Sequence, residues 1–177
     1  MDTAIRADAF GASTVPLAGR AMTAEFSAVY RGHRDRLVRA LSISLQDDAL
    51  AAEAVDEAFT RALHRWHVVG QFDEPQAWVY KTARNWAGSR FRRRRRDRTY
   101  APKIARPDTV DAPTPDPALA AALRELPAEH RNVLVLRYYL DWSIEATADA
   151  LEISPGTVKS RTNRALNELN RQLGGRS

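Results

Sequence analysis

The side chains best placed for chemistry in this chain of 177 residues are hydrogen-bond donors and cations. Thr157, Lys159, Ser160, Arg161 and Arg164 follow Ser154-Pro155-Gly156. Between them Val158, Ala165, Leu166 and Leu169 recur at helical spacing, so a buried stripe would turn the polar set outward. Ser154 can cap that helix through its hydroxyl, and Pro155 suits a first helical position, where no N–H is needed. Upstream, Ala148, Leu151 and Ile153 give a short preceding helix the contacts to pack against it. Donors on the second helix of such a pair can reach base edges in a major groove and hold flanking phosphates. The same segment also fits an ordinary helical hairpin with a basic outer face.

A second constellation mixes rings with cations. Trp78, Tyr80, Trp86 and Phe91 are interleaved with Lys81, Arg84 and Arg90 and lead into Arg92–Arg96. Bases of an unpaired strand stack on aromatic faces while phosphates meet positive charge. Asn85 adds a group that both donates and accepts at a base edge. The competing reading puts both tryptophans in the core and leaves the arginine run as a solvated helix end.

Glu53, Asp56 and Glu57 lie on one helical face with Arg61 a turn beyond Glu57. That pattern fits solvated helix charges better than an acid–base pair, and an acidic face can dock a basic partner. His33, His64, His67 and His130 lack metal-ligand spacing, and no serine sits in a nucleophile motif. The sequence therefore predicts no enzyme, no metal and no cofactor.

These groups must be positioned by helices. Hydrophobic residues make up 44% of the chain, enough for small globular cores, and the net charge of +5 is locally concentrated. Between Pro75 and Arg98 stand nine Lys or Arg residues and one acid, Asp97. No cysteine is present, so disulfides and thiolate metal sites are excluded. Met1–Ala24 does not read as a secretion signal and no stretch is long and apolar enough to cross a bilayer, so a cytoplasmic protein without membrane insertion is expected. Periodicity predicts an all-α chain: a disordered tail over 1–22, a helical domain over 23–98, a Pro-rich flexible linker over 99–117, and a second helical domain over 118–174 containing the helix-turn-helix. Thr23 is the expected N-cap of the first helix, 68–74 an expected loop, and Pro75 the expected start of the helix bearing the aromatics.

With these residues in place, the chain resembles the extracytoplasmic-function (ECF) sigma factors, promoter-specificity subunits of bacterial RNA polymerase. Leu50-Ala-Ala-Glu53-Ala-Val55-Asp56-Glu57-Ala-Phe59-Thr-Arg61-Ala62-Leu63 is similar to the helix that docks on core polymerase. Trp78-Val-Tyr80-Lys81-Thr-Ala83-Arg84-Asn85-Trp86-Ala87 resembles the segment that binds the melted −10 element. Leu126-Pro127-Ala-Glu129-His-Arg131-Asn-Val133-Leu134-Val-Leu136-Arg137-Tyr138, followed by Gly156-Thr157-Val158-Lys159-Ser160-Arg161, is similar to the region that reads the −35 element. The resemblance implies core polymerase and promoter DNA as partners, with an anti-sigma factor as a further one. It implies polymerase binding by Glu53, Asp56, Glu57 and Arg61. The −10 contacts would be Trp78, Lys81, Arg84, Asn85, Trp86 and Arg90, and the −35 contacts Thr157, Lys159, Ser160, Arg161 and Arg164. Thr147 and Glu152 depart from the pattern, which usually has a bulky apolar residue and often a glycine at these places. Two other readings stay open: a stand-alone helix-turn-helix regulator binding duplex DNA as a dimer, and a nonspecific RNA binder using the arginine run.

Overall fold

A computed structural model describes residues 17–96 and 116–174, and all regular structure among the described residues is helical. Helix α1 runs Leu17–Leu45, so it begins well before Thr23, which lies inside it. The expected tail boundary is thus too late: apart from Gly19, Leu17–Met22 holds residues that propagate a helix well. The remaining tail and the expected linker, except its last residues, lie outside the described residues. Gln46 (φ 58°) reverses the chain, and the Asp47 carboxylate then accepts from the Leu50 amide at 2.9 Å to open α2, Asp48–His64. Part of the expected 68–74 loop is a short helix, α3, Trp66–Val69. Its buried Trp66 and Val69 supply the apolar anchor that local polarity concealed. Gly70 closes α3 because an added Cβ would meet the Trp66 carbonyl oxygen at 2.9 Å and its ring at 3.0 Å. Pro75 begins α4, Pro75–Arg96, as the sequence predicts.

The second set of helices opens at Asp116, whose carboxylate caps α5, Pro117–Glu125, through the Ala118 amide at 2.9 Å. Pro117 is therefore a helix residue, not the end of a linker. Helix α6, Ala128–Leu134, continues into a π-helical turn over Val135–Tyr139. Val133, Leu134, Val135 and Leu136 are all buried, which explains a run apolar on every side: the helix has neighbours around it. Helices α7, Ile144–Leu151, and α8, Pro155–Gly174, complete the order.

Helices α1, α2 and α4 pack around Leu37, Leu41, Val55, Phe59, Val79 and Tyr80. Phe26 meets Phe59 and Trp66 edge to face, with centroids 6.1 and 5.2 Å apart. The later helices bury Leu126, Val133, Leu136, Val158 and Ala165. The two sets are docked, and their buried apolar residues form one contiguous cluster. Trp142 stands edge-on to Tyr80 at 5.5 Å. Arg131, 6% exposed, donates to the carbonyls of Leu126 (2.9 Å), Arg124 (3.2 Å), Leu123 (3.3 Å) and, across the junction, Ser44 (3.2 Å). Those oxygens belong to the ends of α5 and α1, where helices leave carbonyls unpaired and the dipole favours a cation.

Candidate nucleic-acid interface

One face of α4 carries Trp78, Thr82, Asn85, Trp86 and Ser89, at the three- and four-residue steps that stack side chains along a helix. With Arg61, His64 and Arg65 from the end of α2, they line an open cleft of about 600 Å³. Asn85 is exposed and the two tryptophans are half-buried, each resting on the core while leaving surface toward the cleft. The Arg90 guanidinium lies 5.0 Å from the Trp86 ring centroid and reaches the Glu53 carboxylate at 2.7 Å. Such a cleft offers stacking faces, an amide for a base edge and a cationic rim, the chemistry an unpaired base requires.

The six candidates on this helix do not converge. Trp78, Asn85 and Trp86 line the cleft and Arg90 flanks it. Lys81 and Arg84, three residues apart, point instead toward α7: Lys81 Nζ is 3.1 Å from Glu152, and Arg84 donates to the Ala150 carbonyl at 3.5 Å. Tyr80 is no stacking platform. It is fully buried, its hydroxyl 3.2 Å from the Ser44 hydroxyl, and burial pushes its phenol above the usual value. Arg61 sits in the cleft while also pairing with Glu57 at 2.8 Å. Sequence reasoning missed His64, Arg65, Thr82 and Ser89. Counting helical steps from Trp78 reaches Thr82 and Ser89; His64 and Arg65 come into place only through the packing of α2 on α4.

The acidic face of α2 is exposed but internally paired. Arg34 holds Asp56 with two contacts, at 2.7 and 2.8 Å, which raise the Arg34 pKa further. Glu53 and Glu57 engage Arg90 and Arg61.

Helices α7 and α8 form the expected helix-turn-helix. Ser143 caps α7 through the Ala146 amide at 2.9 Å, and Ser154 caps α8 through the Thr157 amide at 3.1 Å. Lys159, Ser160 and Arg164 are exposed, while Thr157 and Arg161 are half-buried. Three of these groups are held locally: the Thr157 hydroxyl against Ser154 at 2.9 Å, the Ser160 hydroxyl donating to the Thr157 carbonyl at 3.1 Å, and Arg161 against Glu129 at 2.8 Å. The two departures named above are visible in the backbone and the core. Glu152 adopts the left-handed conformation (φ 58°, ψ 44°) that glycine takes without strain, and Thr147 is fully buried with its hydroxyl unpartnered. Among the described residues no group of three or more His, Asp or Glu could hold a metal ion, and no helix is long and apolar enough to cross a membrane.

Comparison with known proteins places this geometry in a family. Residues 117–169 match the family described as Sigma-70, region 4. The ECF RNA polymerase sigma factor SigL of Mycobacterium tuberculosis is 35% identical over 160 residues, covering 86% of this chain and 90% of its own. An RNA polymerase sigma-E factor of Streptomyces avermitilis is 31% identical over 157 residues, covering 86% and 87%. The fold resembles the sigma factor RpoE of Bartonella quintana, solved with the anti-sigma factor NepR, with a TM-score of 0.67 over 90% of this chain and 98% of that one at 21% identity. The chain belongs to the ECF RNA polymerase sigma factors.

Proposed function

We propose that this protein joins core RNA polymerase, directs it to promoters and holds the separated −10 strand, with no catalysis of its own. The α2 face of Glu53, Asp56, Glu57 and Arg61 docks on a basic polymerase surface, exchanging its internal ion pairs for intermolecular ones. The cleft between α2 and α4 then takes an extruded base: Trp78 and Trp86 stack against it, Asn85 pairs its exposed edge, and Arg90 meets the adjoining phosphate. Lys81 and Arg84 follow the strand's backbone. Helix α8 enters the −35 major groove, where Lys159, Ser160, Arg161 and Arg164 contact base edges or phosphates and Thr157 borders the groove. The chain acts in the cytoplasm, and an anti-sigma factor restrains it.

The observation that carries this reading is Asn85, exposed between two half-buried tryptophans in a cationic cleft, in a chain that also carries a capped helix-turn-helix. The test is transcription from fragments of the native genome by core polymerase, with mapping of transcript 5′ ends. New starts sharing common upstream motifs, present only when the chain is added, support the proposal. Tight binding to a duplex palindrome as a dimer, with no polymerase-dependent starts, overturns it.

A further inference from the structure

We propose that Phe91 is a second stacking platform for the separated strand, which reaches it from the cleft by crossing the bare backbone of Gly88. The proposal rests on the functional reading above and extends the strand's path along α4 beyond the extruded base.

Phe91 does little for the fold. It is 63% exposed, the highest value among the large apolar residues described. A lone exposed apolar residue is ordinary, but its surroundings here are not. Arg90 precedes it, the exposed Arg92 and Arg93 follow it, and α4 carries no acidic residue along its length. An apolar partner surface would have to strip water from those guanidinium groups without replacing it. A nucleic-acid strand meets them with phosphates and meets the ring with a base. An intact duplex keeps its bases stacked on one another and offers the ring none, so ring and charge together select an unpaired strand.

Gly88 connects that ring to the cleft. It stands three residues after Asn85 and three before Phe91, so the three positions form one ridge of neighbours along α4. From Asn85 to Phe91 the helix rises about 9 Å, the length of two or three nucleotides at roughly 3.4 Å each. Glycine inside a helix destabilises it relative to alanine, and packing does not demand glycine here. A Cβ on Gly88 would stand 3.5 Å from Arg92 Nη1, an ordinary contact, and apart from the helix's own neighbouring backbone it would meet no other described atom within 4 Å. What the missing Cβ provides is a low saddle beside the Arg92 guanidinium, where a sugar–phosphate backbone can come close. Arg84, one turn earlier, reaches α7, so the open part of this side of α4 begins at Gly88.

The test measures fluorescence anisotropy of two labelled probes with the full chain: a mixed-sequence DNA single strand, and a base-free deoxyribose-phosphate strand of the same length. Phe91→Ala should weaken binding to the first about five- to hundredfold, the range for one stacked base, and to the second by less than about twofold. Phe91→Leu keeps apolar bulk without a ring face and should lose nearly as much, whereas Phe91→Trp should bind within about twofold of the parent. Gly88→Ala should raise Tm by about 2–4 °C yet weaken strand binding about two- to fivefold, opposite shifts that a purely structural glycine would not give. Tyr138→Ala removes another exposed ring, outside the path, and should leave both affinities unchanged. Parent-like strand affinity in Phe91→Leu, an equal loss on the base-free strand, or unchanged affinity in Gly88→Ala would overturn the platform. Ring-dependent strand binding without polymerase-dependent transcription starts would keep the platform and overturn the functional reading. Such starts, with Phe91→Leu binding as the parent does, would do the reverse.

Discussion

Replacing Arg131 with Met keeps the length and apolar bulk of the side chain and removes only the guanidinium. That group serves carbonyls at the ends of two helices, with three partners no farther than 3.2 Å: Leu126, Arg124 and Ser44. At about 1.5 kcal/mol for each bond from a charged donor, the gross loss is roughly 4–5 kcal/mol. Burial opposes the charge and lowers the Arg131 pKa from its usual value. Independently, a buried ion carries a desolvation cost of about a few kcal/mol, part of which is recovered when the charge is removed. The net destabilisation is about 2–3 kcal/mol, which for a chain of this size lowers Tm by roughly 5–10 °C. Thermal unfolding followed by circular dichroism at 222 nm measures it. Because Arg131 ties α5 to α1, the variant's unfolding should also broaden or split as the two sets lose cooperativity. A variant melting within about 2 °C of the parent, with an equally sharp transition, would refute the assignment of Arg131 as the junction's main polar tie.

Thr147→Val replaces a buried, unpartnered hydroxyl with a methyl group, so stability to urea should rise by about 1 kcal/mol. Burial, with Arg36 nearby, lowers the His33 pKa below its usual 6.5. The folded state therefore resists a proton that the unfolded chain accepts, so His33's contribution is intact above pH 6.5 and stability falls as pH drops through it; His33→Gln should flatten that part of a Tm-versus-pH curve. Asn85→Ala should reduce open-complex formation about five- to thirtyfold, equivalent to 1–2 kcal/mol of lost base-edge bonding, while leaving duplex binding at −35 unchanged. Arg161→Ala should show the reverse pattern in gel-shift and permanganate assays.

Much of the architecture is legible in local patterns. Ser154 and Pro155 mark the start of α8, Pro75 marks α4, and Val158, Ala165, Leu166 and Leu169 define the stripe that packs α8 down. These are effects within a few residues, where capping chemistry and helical period act directly. The site is only half legible for the opposite reason. Periodicity says which residues share a face, not what that face meets. Lys81 and Arg84 share one that meets α7, whereas Trp78, Asn85 and Trp86 share another that meets the end of α2. Tyr80, read among the stacking aromatics, disappears beneath Trp142, a residue more than sixty positions away. Trp66 and Val69 form a helical turn because their rings and methyls find the core, although the surrounding polar residues resemble a loop. The left-handed conformation of Glu152, raised by its contrast with glycine, becomes informative once Lys81 stands opposite it.

The most direct measurement of the central claim is a combined footprint on one promoter fragment, with core polymerase and this chain together. Strand opening is read by permanganate oxidation of unpaired thymines, and duplex contact by protection from DNase I. The account predicts reactive thymines near −10 and protection near −35 in the same complex, both dependent on the chain, with Asn85→Ala losing the first and keeping the second. Duplex protection by the chain alone, with no polymerase-dependent reactive thymines, would contradict it.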